Sequence, residues 1–159
     1  MKKLIYFLML CSCGFQPMYS GNDIDVYVAP INGINGIEMR NALNARFGGA
    51  HDNNAKYTLI ISLNEPETHY KAIETTGIAT WQEIIMRANY TLSMKDKVIA
   101  TGNEMASESY TFVRYLVASN ASYNNAVSNT ISELAEKIGI RTIAETKKQE
   151  SITNEMENK

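Results

Sequence analysis

The sequence predicts an α+β domain of two layers: a four-stranded, mostly antiparallel sheet with two helices on one face. Three observations predict it. Apolar and polar residues alternate over 24–28, 56–64 and 78–94, the period of a half-buried strand. Two other stretches, 37–47 and 123–138, place their apolar residues on a single helical stripe. Two such stripes cover only one face of a four-stranded sheet, which leaves the second face to water or to a partner.

Taken in order, Ile24, Val26 and Val28 alternate with Asp25 and Tyr27 in a first strand that Pro30 ends. A turn-rich loop, Asn32-Gly33-Ile34-Asn35-Gly36, leads to a first helix over 37–47, where Met39, Ala42, Leu43 and Phe47 share a face. Gly48-Gly49 stops it. Residues 56–64 form the clearest strand: Tyr57, Leu59, Ile61 and Leu63 point one way, Thr58, Ile60, Ser62 and Asn64 the other. Residues 65–76 are ambiguous, with Pro66 able to bulge or end the strand. The run 78–94 then alternates over its length. Ile84, Met86, Ala88, Tyr90, Leu92 and Met94 lie on one face, Trp81, Glu83, Ile85, Arg87, Asn89 and Thr91 on the other. Lys95-Asp96-Lys97 makes a tight hairpin into a fourth strand over 98–111. Ser119 or Ser122 caps a second helix that runs to about Glu145. On it Tyr123, Val127, Ile131, Leu134 and Ile138 form the stripe, and Glu133 and Lys137 pair one turn apart on the wet side.

The domain organisation follows from the two ends. Lys2 and Lys3 precede an unbroken apolar run, 4–10, and then Cys11-Ser12-Cys13. A charged then apolar segment of this length is a secretory signal. It reaches less than half of the ~20 residues needed to cross a bilayer. A thiol after small residues can be diacylated and become the mature N-terminus, the bacterial lipoprotein pattern. Cys11 would have the bulky Leu8, Met9 and Leu10 before it, whereas Cys13 has Leu10, Cys11 and Ser12. The expected acceptor is therefore Cys13, carrying a diacylglyceryl group and an N-acyl chain; a membrane-tethered or plainly cleaved signal, leaving a free thiol, is the bland alternative. Residues 1–12 are then the signal peptide and 13–21 a lipidated linker. The domain occupies 22–146, and 147–159, with Ile152 and Met156 as its only apolar residues, reads as a disordered tail.

Size and charge restrict function. Removal of the signal leaves 147 residues, enough for one domain, with 13 basic against 17 acidic side chains. A mildly acidic chain with no basic cluster is not a general nucleic-acid binder. His51 and His69 sit in or beside loops with no metal-ligand or nucleophile spacing. No glycine-rich phosphate loop or nucleophile elbow is present. The expectation is a binding protein rather than an enzyme, with no metal and no cofactor beyond the acyl chains.

The candidate surfaces are three. Phe15, Met18 and Tyr19 put large apolar groups into a linker that mere reach would fill with Ser and Gly. Trp81 and Ile85 stand on the polar face of the third strand; Trp81 marks an interface or caps one end of the core. Arg87, Lys95 and Lys97 form the densest basic group and pair with phosphates, or simply solvate a hairpin.

The run Cys13-Gly14-Phe15-Gln16-Pro17-Met18-Tyr19 resembles the CGFxPxY start of mature LPS-assembly lipoproteins, the LptE family. In its alphaproteobacterial branch the last four places often read Arg-Pro-Leu-Tyr; here Gln16 and Met18 differ. The likeness continues through Arg40-Asn-Ala-Leu-Asn-Ala-Arg-Phe47, Ala55-Lys-Tyr-Thr-Leu59, Gly77-Ile-Ala-Thr80 with Ala88-Asn-Tyr-Thr-Leu92, and 106–110. The resemblance implies an outer-membrane lipoprotein on the periplasmic side that sits in the lumen of the LPS translocon barrel LptD. It further implies a role as plug and assembly partner, and binding of lipopolysaccharide. On that reading Phe15, Met18, Tyr19, Trp81 and Ile85 face the barrel or bilayer, and Arg87, Lys95 and Lys97 face LPS phosphates. With Gln16 in place of the arginine, the resemblance implies no anionic contact at that position. Two other readings share the anchor: an accessory lipoprotein of a lipid-transport ABC system, and a lipid-anchored hydrolase dependent on His51 or His69.

Overall fold

The alternating stretch ending at Met94 becomes the strand on which the sheet is built. The computed structural model describes residues 24–73, 79–111 and 115–157. Its elements are β1 (Val26–Val28), α1 (Gly33–Arg46), β2 (Tyr57–Leu63), β3 (Glu67–Ile73), β4 (Ala79–Met94), β5 (Lys97–Thr111) and α2 (Leu116–Glu157). β5 pairs antiparallel along nearly the whole of β4, from Trp81 opposite Thr111 to Met94 opposite Lys97. On the other side of β4, β2 covers Ala88–Met94 and β3 covers Ala79–Ile85, both antiparallel. β1 lies parallel to β2.

Among the described residues the sheet thus has five strands where the sequence predicts four. The fifth, β3, continues β2 along the same neighbour. Asn64 N–H still donates to the Arg87 carbonyl, 2.9 Å away, before Pro66 opens a gap in the ladder and pairing resumes at Glu67. Proline removes a ladder donor without ending the ribbon. A bulge between Tyr70 and Ala72 bends it again.

Turn chemistry fixes both ends of the core. Gly48, at φ +92°, takes the left-handed position after α1, and Gly49 N–H closes back on the Asn44 carbonyl at 2.9 Å. Lys95 and Asp96 both have positive φ, 45° and 63°, the two-residue loop whose twist suits a hairpin.

Both helices lie on one face of the sheet. Tyr57, Leu59 and Ile61 of β2, Ile84, Met86, Ala88 and Leu92 of β4, Met39 and Leu43 of α1, and Ile131, Leu134 and Ile138 of α2 share one buried core. The helices are joined by the ion pair Arg46–Glu136 at 3.4 Å and by a Ser128 hydroxyl donating to Glu38. Gly36 sits where a Cβ would stand 2.7 Å from the Ile31 carbonyl oxygen, and backbone cannot move aside. Gly36→Ala is therefore expected to cost about 1–3 kcal/mol by overpacking. A denaturation midpoint equal to the parent's would show that α1 does not press on Ile31.

α2 departs from the sequence reading at both ends. It begins at Leu116, ahead of both Ser119 and Ser122, and Ser119 is buried inside the first turn rather than capping it. It continues through 147–157, which the sequence assigns to a disordered tail. Those last turns bury little, but Lys56, just ahead of β2, ties them to the sheet by pairing with Glu150 at 3.7 Å, and within the helix Thr153 donates to the Gln149 carbonyl. At 42 residues the helix is roughly 63 Å long, slightly more than the roughly 53 Å of β4.

Candidate functional site

Alternation sends every second side chain of β2, β4 and β5 away from the helices. Among the described residues the resulting face carries no second layer. It is built from Thr58, Ile60 and Ser62 on β2, the odd positions of β4, and their β5 partners Thr101, Asn103, Met105 and Ser107. Ile60 is 54% exposed, Trp81 48% and Met105 50%, isolated apolar islands in a field of hydroxyl and amide groups.

The charges on this face are neutralised in pairs. Arg87 donates to Glu67 of β3 at 2.8 Å, and Lys71 meets Glu83 at 2.7 Å. Asn103 donates to the Asn89 amide oxygen at 2.7 Å across the β4–β5 ladder. The hydrogen bond from Arg87, with its positive charge, holds the Glu67 carboxyl below its ordinary value of 4.5; the bond from Lys71 does the same for Glu83. For a carboxyl depressed in the folded state, the pairing stabilises above pH 4.5 and is lost as pH falls through the lowered folded value. Acidification from neutrality is therefore expected to destabilise the parent more than Glu67→Gln. Equal losses, measured by denaturation at a series of pH values, would mean that the pair contributes nothing.

Trp81 belongs to this open face, opposite Thr111 and outside the core cluster, and half-buried Ile85 lies two places along the same side. The three basic candidates do not converge. Arg87 is held by Glu67, while Lys95 and Lys97 flank the hairpin eight residues on, roughly 26 Å away along the strand. Charge spacing in sequence suggested a cluster, but an extended strand draws it out. Cys13, Phe15, Met18 and Tyr19 lie outside the described residues.

One surface escaped the sequence reading. At the start of α2, Tyr115, Leu116 and Val117 are exposed, Val117 by 83%. Three consecutive bulky apolar residues ahead of the expected cap were the available signal. Further along α2 a cleft of about 310 Å³ opens between Ile34 and Glu38 of α1, Pro66, and Tyr123 and Val127 of α2.

His51 and His69 stand apart, His51 3.6 Å from Asp25 and His69 3.8 Å from Glu67. Among the described residues no three His, Cys, Asp or Glu side chains gather as a metal site, and no helix is long and apolar enough to cross a membrane.

No protein-family model matches the chain, and no curated protein matches it. Solved structures do. A putative lipoprotein from Caulobacter crescentus CB15 is similar over 76% of this chain and 89% of its own, with TM-score 0.62 and 17% identity. Rare lipoprotein B from Shewanella oneidensis is similar over 80% and 97%, with TM-score 0.60 and 14% identity. A minor lipoprotein from Acinetobacter baumannii is similar over 76% and 92%, with TM-score 0.55 and 12% identity. At these identities what is shared is the fold, an α+β arrangement found in bacterial lipoproteins.

Proposed function

We propose that this chain is an LptE-type lipoprotein of the outer membrane. Acyl chains on Cys13 hold it at the periplasmic side, and it sits in the lumen of an LptD-type barrel, assisting barrel assembly and LPS delivery. The observation that carries the reading is the sheet face that no helix covers among the described residues. Its polar groups are neutral or paired, so it can lie against a polypeptide wall without stranding a charge. The signal and cysteine pattern at 1–13 supplies the anchor, and the fold shared with bacterial lipoproteins agrees with the family resemblance of the sequence.

Photocrosslinking in cells tests the proposal. A photoreactive residue at Ile60 or Met105, on the open face, should capture an outer-membrane barrel, while one at Ile140, on the outside of α2, should capture much less. Capture from Ile140 alone, or of an inner-membrane transporter from all three, would contradict it.

Lys95 and Lys97 remain the candidates for LPS phosphates, and Arg87 leaves the set because Glu67 holds it. The Lys95→Ala, Lys97→Ala double variant should retain less LPS, whereas Arg87→Ala should leave retention near the parent level. The opposite order would put the anion site on the open face.

A further inference from the structure

Among the described residues β5 has a neighbour on one side only. All of its fifteen residues except Ile99 pair with β4, and along the far side runs the outer edge of the sheet. Such an edge presents a row of unpaired N–H and C=O groups, a template for another strand, and proteins normally blunt it. Here the usual devices are sparse. β5 has no proline, and its charged residues are Lys97, Glu104 and Glu108. Glu104 is taken up by Arg141 of α2. Lys137 donates to the Met105 carbonyl at 2.8 Å, but Glu133 neutralises its ammonium at 2.7 Å.

We propose that a second copy of this chain adds antiparallel to the outer edge of β5, about a two-fold axis normal to the sheet at Asn103. The charges choose the register. Full overlap would set Glu104 against Glu104, and directly opposed like charges are destabilising. A one-residue slide of the axis sets Asn103 against Asn103 and Glu104 against Gly102. The irregularity at Ile99 then matters. Pairing with β4 passes from Ala100 to Val98, and Ile99 and Ala100 both pack on the core side. Skipping Ile99 in the new ladder as well brings Lys97 opposite Glu108, on the same face, twice by symmetry. Neither residue has an ion-pair partner among the described residues, so the pairing completes two charges that the single chain leaves to solvent. It concerns the chain outside any barrel and does not rest on the function proposed above.

The test uses the full chain in mild detergent with Cys11→Ser and Cys13→Ser, which leaves no native thiol. Asn103→Cys should form a disulfide-linked dimer on mild oxidation, whereas Asn53→Cys, in an exposed loop, should not. By sedimentation, Lys97→Glu should weaken dimerisation about tenfold or more, since two attractive cross-strand pairs become repulsive. Adding Glu108→Lys should restore it. A chain that stays monomeric at its highest soluble concentration overturns the proposal, and so does a dimer indifferent to Lys97→Glu.

Discussion

Cys13→Ser is expected to abolish palmitate incorporation and to leave the protein uncleaved or free of the membrane. Acylation with several chains far exceeds the marginal, reversible hold of one myristoyl group, so its loss is a change of compartment rather than a graded weakening. The signal at 1–12 would still direct export, because its charge and apolar run are untouched. Radiolabelled palmitate followed by membrane fractionation reads the result. Continued labelling of the serine variant would place the acyl chains elsewhere, on Cys11 or on no cysteine at all.

Leu134→Ala is expected to destabilise the fold by about 3 kcal/mol, within the range for emptying a fully buried leucine site. Leu134 is fully enclosed and belongs to the core shared by α2 and the sheet. With total stabilities of about 5–15 kcal/mol for domains of this kind, that is a large fraction of what holds the chain together. Ile140, on the outer side of the same helix, provides the contrast: Ile140→Ala should shift stability by less than about 0.5 kcal/mol. Urea denaturation of the two variants compares the faces directly. Equal costs would mean that α2 does not bury the stripe running through Ile131, Leu134 and Ile138.

That stripe was legible in the sequence because burial repeats with the helical period, and α2 meets the sheet along one line. β4 was legible for the same reason at period two: of its inward set Ile84, Met86, Ala88, Tyr90 and Leu92 are buried, and Met94, beside the hairpin, is partly so. The Glu133–Lys137 pair, at 2.7 Å, is where the spacing puts it. β3 was harder, because Pro66 reads locally as a terminator, whereas β4 continues past it and supplies the partner groups. The last turns of α2 were missed because they bury little. Their anchors are local hydroxyl bonds and a lysine, Lys56, nearly a hundred residues away, and no periodicity reports a contact of that kind.

The open face was half legible. Its polar character follows from alternation, and the count of helical stripes implied that it would lack a cover. The pairing of Arg87 with Glu67 depends on β3 lying beside β4, which the sequence left ambiguous. Read along the chain, Arg87, Lys95 and Lys97 look like one basic group; laid on a strand they are two places, one of them already neutralised. The apolar tip at Tyr115–Val117 went unseen because helix signals near Ser119 drew the boundary past it.

Affinity purification of the acylated protein from outer membranes in mild detergent tests the central claim most directly. The account predicts an LptD-type β-barrel at one-to-one stoichiometry, lost when polar residues replace Ile60 and Met105. Recovery of the protein alone, or with an inner-membrane ATPase complex, would contradict it.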